Sequence, residues 1–180
     1  SIRVAKLFSD SGIDNIEISG GTYEQPRLLG LDKVSINPER SENRKESTIA
    51  REAYFLSYAE EIAKVVNIPL MVTGGFRTKE GMEAALADGA CEIVGVGRPL
   101  CANPYAVKEL LAGQIDELPK YEKTLSIGPW WLSPTSPFRL IQAINAFSAQ
   151  AWFYQQIKKM GKGLMPDLNL KPWKAFREDA

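Results

Sequence analysis

"VTGGFR", residues 72–77, and "VGVGRP", residues 94–99, decide how this chain is read. Each ends an apolar run in bare glycine with an arginine at its edge, and one amphipathic stretch, "KEGMEAALAD", lies between them. An apolar run of strand length that does not alternate with polar residues is the pattern of a parallel strand covered on both faces. Thr78 is placed to cap the intervening helix, and Gly89 to end it in a left-handed turn. Successive βα units place their strands in parallel, so Gly74 and Gly75 are expected beside Gly97 and Arg98 at one rim.

The same period extends outward. Residues 2–11 mix Ile2, Val4, Ala5, Leu7 and Phe8 with charged residues in a helical pattern that Gly12 can close. "IDNIEIS", residues 13–19, alternates as a short strand and stops at Gly20-Gly21. Residues 22–47, with Pro26, Gly30, Pro38 and a run of both charge signs, read as a long loop. Residues 48–66 space Ala53, Leu56, Ala59, Ile62, Ala63 and Val66 three and four apart, which predicts a helix ended by Asn67 and Pro69. Asn103 and Pro104 supply an N-cap and a first-turn proline for a helix running to Gly113. The alternation of helix and strand is the signature of parallel βα units.

After Gln114 the pattern gives way to a proline-punctuated connection, and a long helix is expected from Ser136-Pro137 to Gly161. Arg139, Gln142, Asn145 and Gln150 interrupt its apolar face, so it falls short of the ~18 apolar residues of a membrane span and docks on its own domain or a partner. The expected division is a βα region over 1–117 and an extension over 118–180.

The chain has 180 residues, 44% of them hydrophobic, which suits a globular domain with a buried core. Twenty-two basic and 22 acidic residues cancel, and a chain without basic excess has no electrostatic reason to bind nucleic acid or an anionic membrane. Cys91 and Cys101 have neither metal-ligand spacing nor a disulfide framework, so no metal is expected and a reducing, cytoplasmic setting is. The N-terminus has no signal-peptide core.

The glycine pairs carry the chemistry. Glycine lets main-chain N–H groups approach an anion with no Cβ in the way, a following helix aims its N-terminus at the same point, and Arg98 adds a planar fork matched to phosphate oxygens. Two such loops side by side make a phosphate cup, and (β/α)8 barrels keep their phosphate site after strands 7 and 8. Either motif alone fits simple tight turns with arginines paired to surface carboxylates. Both together, one βα unit apart, favour the phosphate. Glu17, Glu24, Tyr23 and Tyr105 near the rims carry less weight, and Trp130, Trp131 and Trp152 read as packing of the C-terminal segment.

"EISGGTYE", "REAYFL", "IPLMVTGGFRT", "DGACEIVGVGRPL" and "NPYAVKELLAG", in this order over about residues 13–113, resemble the C-terminal third of the Old Yellow Enzyme family. These are NADH:flavin oxidoreductases that carry FMN in a (β/α)8 barrel. The resemblance implies that Gly75 and Phe76 from one loop, and Gly97 and Arg98 from the next, hold the FMN phosphate, with Gly74 needed for the turn. It also implies an ene reductase in which reduced nicotinamide, NADH or NADPH, supplies hydride through the flavin to an activated alkene. That family grips the substrate carbonyl through a histidine pair, or a histidine and an asparagine, with a tyrosine as proton donor, all upstream of the matched region. This chain has no histidine, so no catalytic residue is assigned. A closed barrel takes about 250 residues. The expectation is therefore α/β, a partial (β/α)8 TIM barrel of about the last three βα units with a helical C-terminal extension. Such a fragment has a missing N-terminal barrel half or a homo-oligomer as its partner. The alternatives are a catalytically inactive flavin-binding or association module, or another phosphate-binding TIM-barrel enzyme.

Overall fold

A computed structural model describes residues 2–19 and 56–179. The loop expected over 22–47 and the start of the helix expected over 48–66 lie outside the described residues. The chain divides into two compact units, one built from residues 2–19, 56–97 and 108–118, the other from residues 98–107 and 119–179.

The first unit is built on a three-stranded parallel sheet in the order β1-β2-β3: β1 Ile16–Ser19, β2 Leu70–Thr73 and β3 Ile93–Gly95. In the register, Val72 of the central strand stands opposite Ile18 on one side and Val94 on the other. Alternate strand residues point the same way, so Ile18, Val72 and Val94 form a row. Three helices accompany the sheet: α1 Ile2–Asp10, α2 Leu56–Ala63 and α3 Lys79–Ala87. Ala59 of α2 and Ala85 of α3, both nearly inaccessible, close over the row together with Phe76, Cys91, Leu56 and Met82. Small residues at the contact let the helices approach the strands closely. A second cluster under β1 and β2 joins Ala5 of α1 to Leu70, Val66, Ile16 and Ile62.

The opposite face differs from the expectation of strands covered on both sides. Glu17 is exposed, Met71 and Thr73 are half-buried, and Ile93 remains 39% exposed. The described helices bury one row only. Gly95 is required by its neighbour across the sheet, because a Cβ there would stand 1.8 Å from Thr73 Oγ1 and 2.7 Å from Met71 Cε.

Past β3, α4 Arg98–Ala102 was not foreseen; α5 Ala106–Leu111 follows it. Asn103 accepts from the Tyr105 N–H at 2.9 Å, an Asx turn where the sequence suggested a helix cap. The second unit is organised by α6 Arg139–Gly161 and α7 Pro172–Asp179. Trp152 is fully buried in its core with Ala102, Leu125, Ala151 and Ala175, while Tyr121 and Phe153 pack on its ring. Its indole N–H donates to Leu170 O at 2.9 Å, so the largest side chain of the core has no stranded polar atom. Trp130 and Trp131, by contrast, are 86% and 53% exposed and do not pack as expected.

Buried polar side chains tie the connections to α6. Asn145 receives the N–H of Ile127 and donates to the carbonyls of Leu132 and Ile141. Gln156 exchanges hydrogen bonds with the backbone of Asp167. Lys159 donates to the Asp167 carboxylate at 3.1 Å, and this bond holds the carboxyl below its usual range.

Two outcomes follow. Gly95→Ala should lower stability by about 1–3 kcal/mol by overpacking, read as a reduced urea midpoint, with partial recovery when Thr73→Ala is added. The depressed Asp167 carboxyl stabilises the fold above its unfolded value of 3.8, and that contribution disappears as pH falls through the lower folded value. Between about pH 5 and pH 2 the loss of urea stability should therefore be smaller in Asp167→Asn than in the unsubstituted chain.

Candidate functional site

The loop after β2 is where the first unit departs from regular structure. Gly74 and Gly75 have φ of 136° and 85°, backbone that a side chain makes costly. Phe76 then drops its ring into the core at 1% exposure. Thr78 caps α3, its hydroxyl accepting from Gly81 N–H at 3.1 Å, as its place in the sequence suggested. A second strap crosses here: Thr78 pairs with Glu117 in an isolated antiparallel bridge, and Leu118 N–H donates to Arg77 O at 2.7 Å. The loop is thus anchored by the sheet behind it, a buried ring within it and a helix cap ahead of it. Among the described residues, the N–H groups of Gly75 and Phe76 donate no hydrogen bond.

β3 is the hydrogen-bonded neighbour of β2 and runs parallel to it, so the loops after the two strands leave the same edge of the sheet. Gly97 lies on the second of these loops, two residues past the end of β3 and exposed, and a Cβ built on it would meet nothing within 4 Å. Arg98, joined to Gly97 by a peptide bond, is the first residue of α4 and is half-buried.

Arg77 could not be placed from the sequence. The residue is only 7% exposed, and its Nη1 donates to the carbonyl of Phe76 at 2.7 Å. Nothing in the string "GGFR" distinguishes an arginine that reaches outward from one folded back on its own backbone. The thiols are unsuited to nucleophilic work: burial pushes both Cys91 and Cys101 up, which keeps them protonated near neutrality. Glu17 and Tyr105 are exposed, while Tyr23 and Glu24 lie outside the described residues. Among the described residues no group of three or more acidic, cysteine or histidine side chains is placed to hold a metal ion. No helix among them is long and apolar enough to cross a membrane.

No family model matches the chain. Individual proteins do. It is 42% identical over 112 residues to the NADH-dependent flavin oxidoreductase iliE of Hypocrea jecorina, covering 61% of this chain and 26% of that protein. It is 32% identical over 165 residues to the NADH-dependent flavin oxidoreductase iccE of Talaromyces variabilis, covering 89% of this chain and 37% of that protein. The chain belongs with these flavin oxidoreductases, in an Old Yellow Enzyme-like family. An NADH oxidase of Thermoanaerobacter brockii extends the kinship, at 30% identity over 158 residues, 87% of this chain and 22% of that protein. The chain thus spans between a quarter and two fifths of the length of the iliE and iccE proteins just named.

The loop's construction sets two expectations. Gly75→Ala forces a side chain into left-handed backbone and should cost about 1–2 kcal/mol. Thr78→Ala removes the α3 cap and should cost about 1 kcal/mol. Equilibrium unfolding in urea measures both, and a Gly75→Ala chain as stable as its parent would contradict the assigned backbone.

Proposed function

We propose that this chain binds the terminal phosphate of FMN at the C-terminal ends of β2 and β3, as part of a flavin-dependent oxidoreductase reduced by a nicotinamide. The carrying observation is the Gly74-Gly75-Phe76 turn. Its glycines adopt backbone that leaves no side chain between the chain and an anion, and the N–H groups of Gly75 and Phe76 are open among the described residues. Oriented main-chain N–H groups are a suitable cradle for phosphate oxygens. Gly97 contributes a second approach without a Cβ, and the Arg98 guanidinium, next in the chain, is the charged contact in this reading.

These residues fit the cofactor named by the resemblance, and the relatives' names, NADH-dependent flavin oxidoreductase, support a flavin with a nicotinamide reductant. In this reading the three strands are consecutive members of a (β/α)8 barrel, and their uncovered face, with Glu17, Met71, Thr73 and Ile93, is the side that further βα units cover. Those units come from more polypeptide or from a second chain. When bound, FMN supplies hydride transfer from NADH or NADPH to the β-carbon of an activated alkene, whose α-carbon takes up a proton. This chain's part is anchorage: Gly75, Phe76 and Gly97 orient the phosphate end through main-chain groups, and Arg98 balances its charge. Polarising the alkene's carbonyl falls to groups beyond these residues, since the chain contains no histidine.

Titration of flavin fluorescence tests the assignment. Arg98→Ala should weaken FMN binding about thirtyfold, as expected for losing a charge-assisted pair worth roughly 2 kcal/mol. Unchanged FMN affinity would remove Arg98 from the site. A purified protein without the flavin's visible absorption, which also fails to bind added FMN, would favour a different phosphate ligand. The 180-residue chain alone should give no enone reduction above the rate of free FMN, because positioning of the alkene is absent. Steady turnover would overturn that division of labour.

A further inference from the structure

Arg77 is nine-tenths buried, and a guanidinium withdrawn from water costs several kcal/mol unless its donors are engaged. One of those donors, Nη1, is spent on the carbonyl of Phe76, the residue immediately before it. We propose that Arg77 is a positioning residue for the phosphate loop: its guanidinium holds the Phe76 carbonyl and thereby keeps the Gly75 and Phe76 N–H groups in a fixed arrangement. This inference rests on the phosphate reading above.

The geometry of Phe76 supports it. A residue's N–H direction is set by the torsions on either side of it, and glycine upstream imposes little restraint of its own. Phe76 is restrained instead by its ring, buried against Ala59, Val72, Ala85 and Cys91, and by its carbonyl, held by Arg77 at 2.7 Å. Arg77's own carbonyl accepts from Leu118 at 2.7 Å, and the Thr78–Glu117 bridge holds the next residue. With Phe76 pinned on both sides of its Cα, the freedom left in the loop is confined to Gly74 and Gly75. The bond also engages the negative end of the Phe76 peptide. Donors fixed in advance of binding cost no ordering when the anion arrives. A guanidinium is suited to this task because its planar, delocalised charge tolerates burial better than an ammonium does.

The test compares FMN with riboflavin, which carries the same ring but no phosphate, by fluorescence titration of the protein as its gene encodes it. Arg77→Met keeps length and apolar contact while removing charge and donors. It should weaken FMN about tenfold and riboflavin by less than about twofold, and Arg77→Lys, which keeps the charge but not the planar fork, should recover part of the FMN affinity and leave a loss of about threefold. Equal weakening of both flavins, or none, overturns the inference, because a general loosening of the fold does not distinguish a phosphate. Should Arg77→Met fail to fold, Arg77→Lys decides alone: a loss of about threefold confined to FMN supports the role, and no loss or a shared one overturns it. If the unsubstituted protein binds FMN no better than riboflavin, the phosphate site itself falls, and Arg77's part in it with it. Preserved FMN selectivity in the parent with an indifferent Arg77→Met would remove Arg77 alone.

Discussion

Parallel pairing of β2 with a neighbour on each side aligns Ile18, Val72 and Val94 in one row, and α2 and α3 can close only over that row. The row is apolar where the facing helix positions, Ala59 and Ala85, are small, so burial and close approach reinforce each other. Slipping the register by one residue would turn Glu17, Met71 and Ile93 toward the helices and expel the row. Because both loops after β2 and β3 emerge from strands held in this register, their relative position is inherited from it.

The loop after β2 shows how a rigid frame supports a short irregular segment. Gly74 and Gly75 have positive φ, and the residues after them are fastened one by one: Phe76 by its ring, Arg77 by its carbonyl and guanidinium, Thr78 by cap and bridge. Among the described residues the N–H groups of Gly75 and Phe76 donate no hydrogen bond, and the proposed reading gives them a phosphate as acceptor.

The second unit uses a different device. Its core is arranged around Trp152, and its connections are tied to α6 by amide side chains: Asn145 to the segment before the helix, Gln156 to the segment after it. These bonds satisfy backbone groups in segments that have no sheet or long helix of their own. They allow a proline-punctuated connection to pack without regular structure.

By itself the sequence determined the order of the three strands and of the helices α1 to α3 around them, the Thr78 cap, the left-handed stop at Gly89, and the existence of the long helix, which opens at Arg139 rather than at Ser136. These depend on local periodicity and on residues whose backbone preferences are strong, so neighbours along the chain suffice to specify them. Kinship with flavin oxidoreductases was legible for a similar reason, since its motifs are short strings at fixed spacing. Tertiary structure decided what depends on distant partners. Only there do the described helices close over one sheet face and leave Ile93 of the other at 39% exposure, although the strand is apolar throughout. Only there do Glu117 and Leu118 strap the loop at Thr78 and Arg77, across some forty residues of chain. The burial of Arg77 belongs with these: an arginine is equally at home in water or on a carbonyl, and packing around Phe76 made the choice.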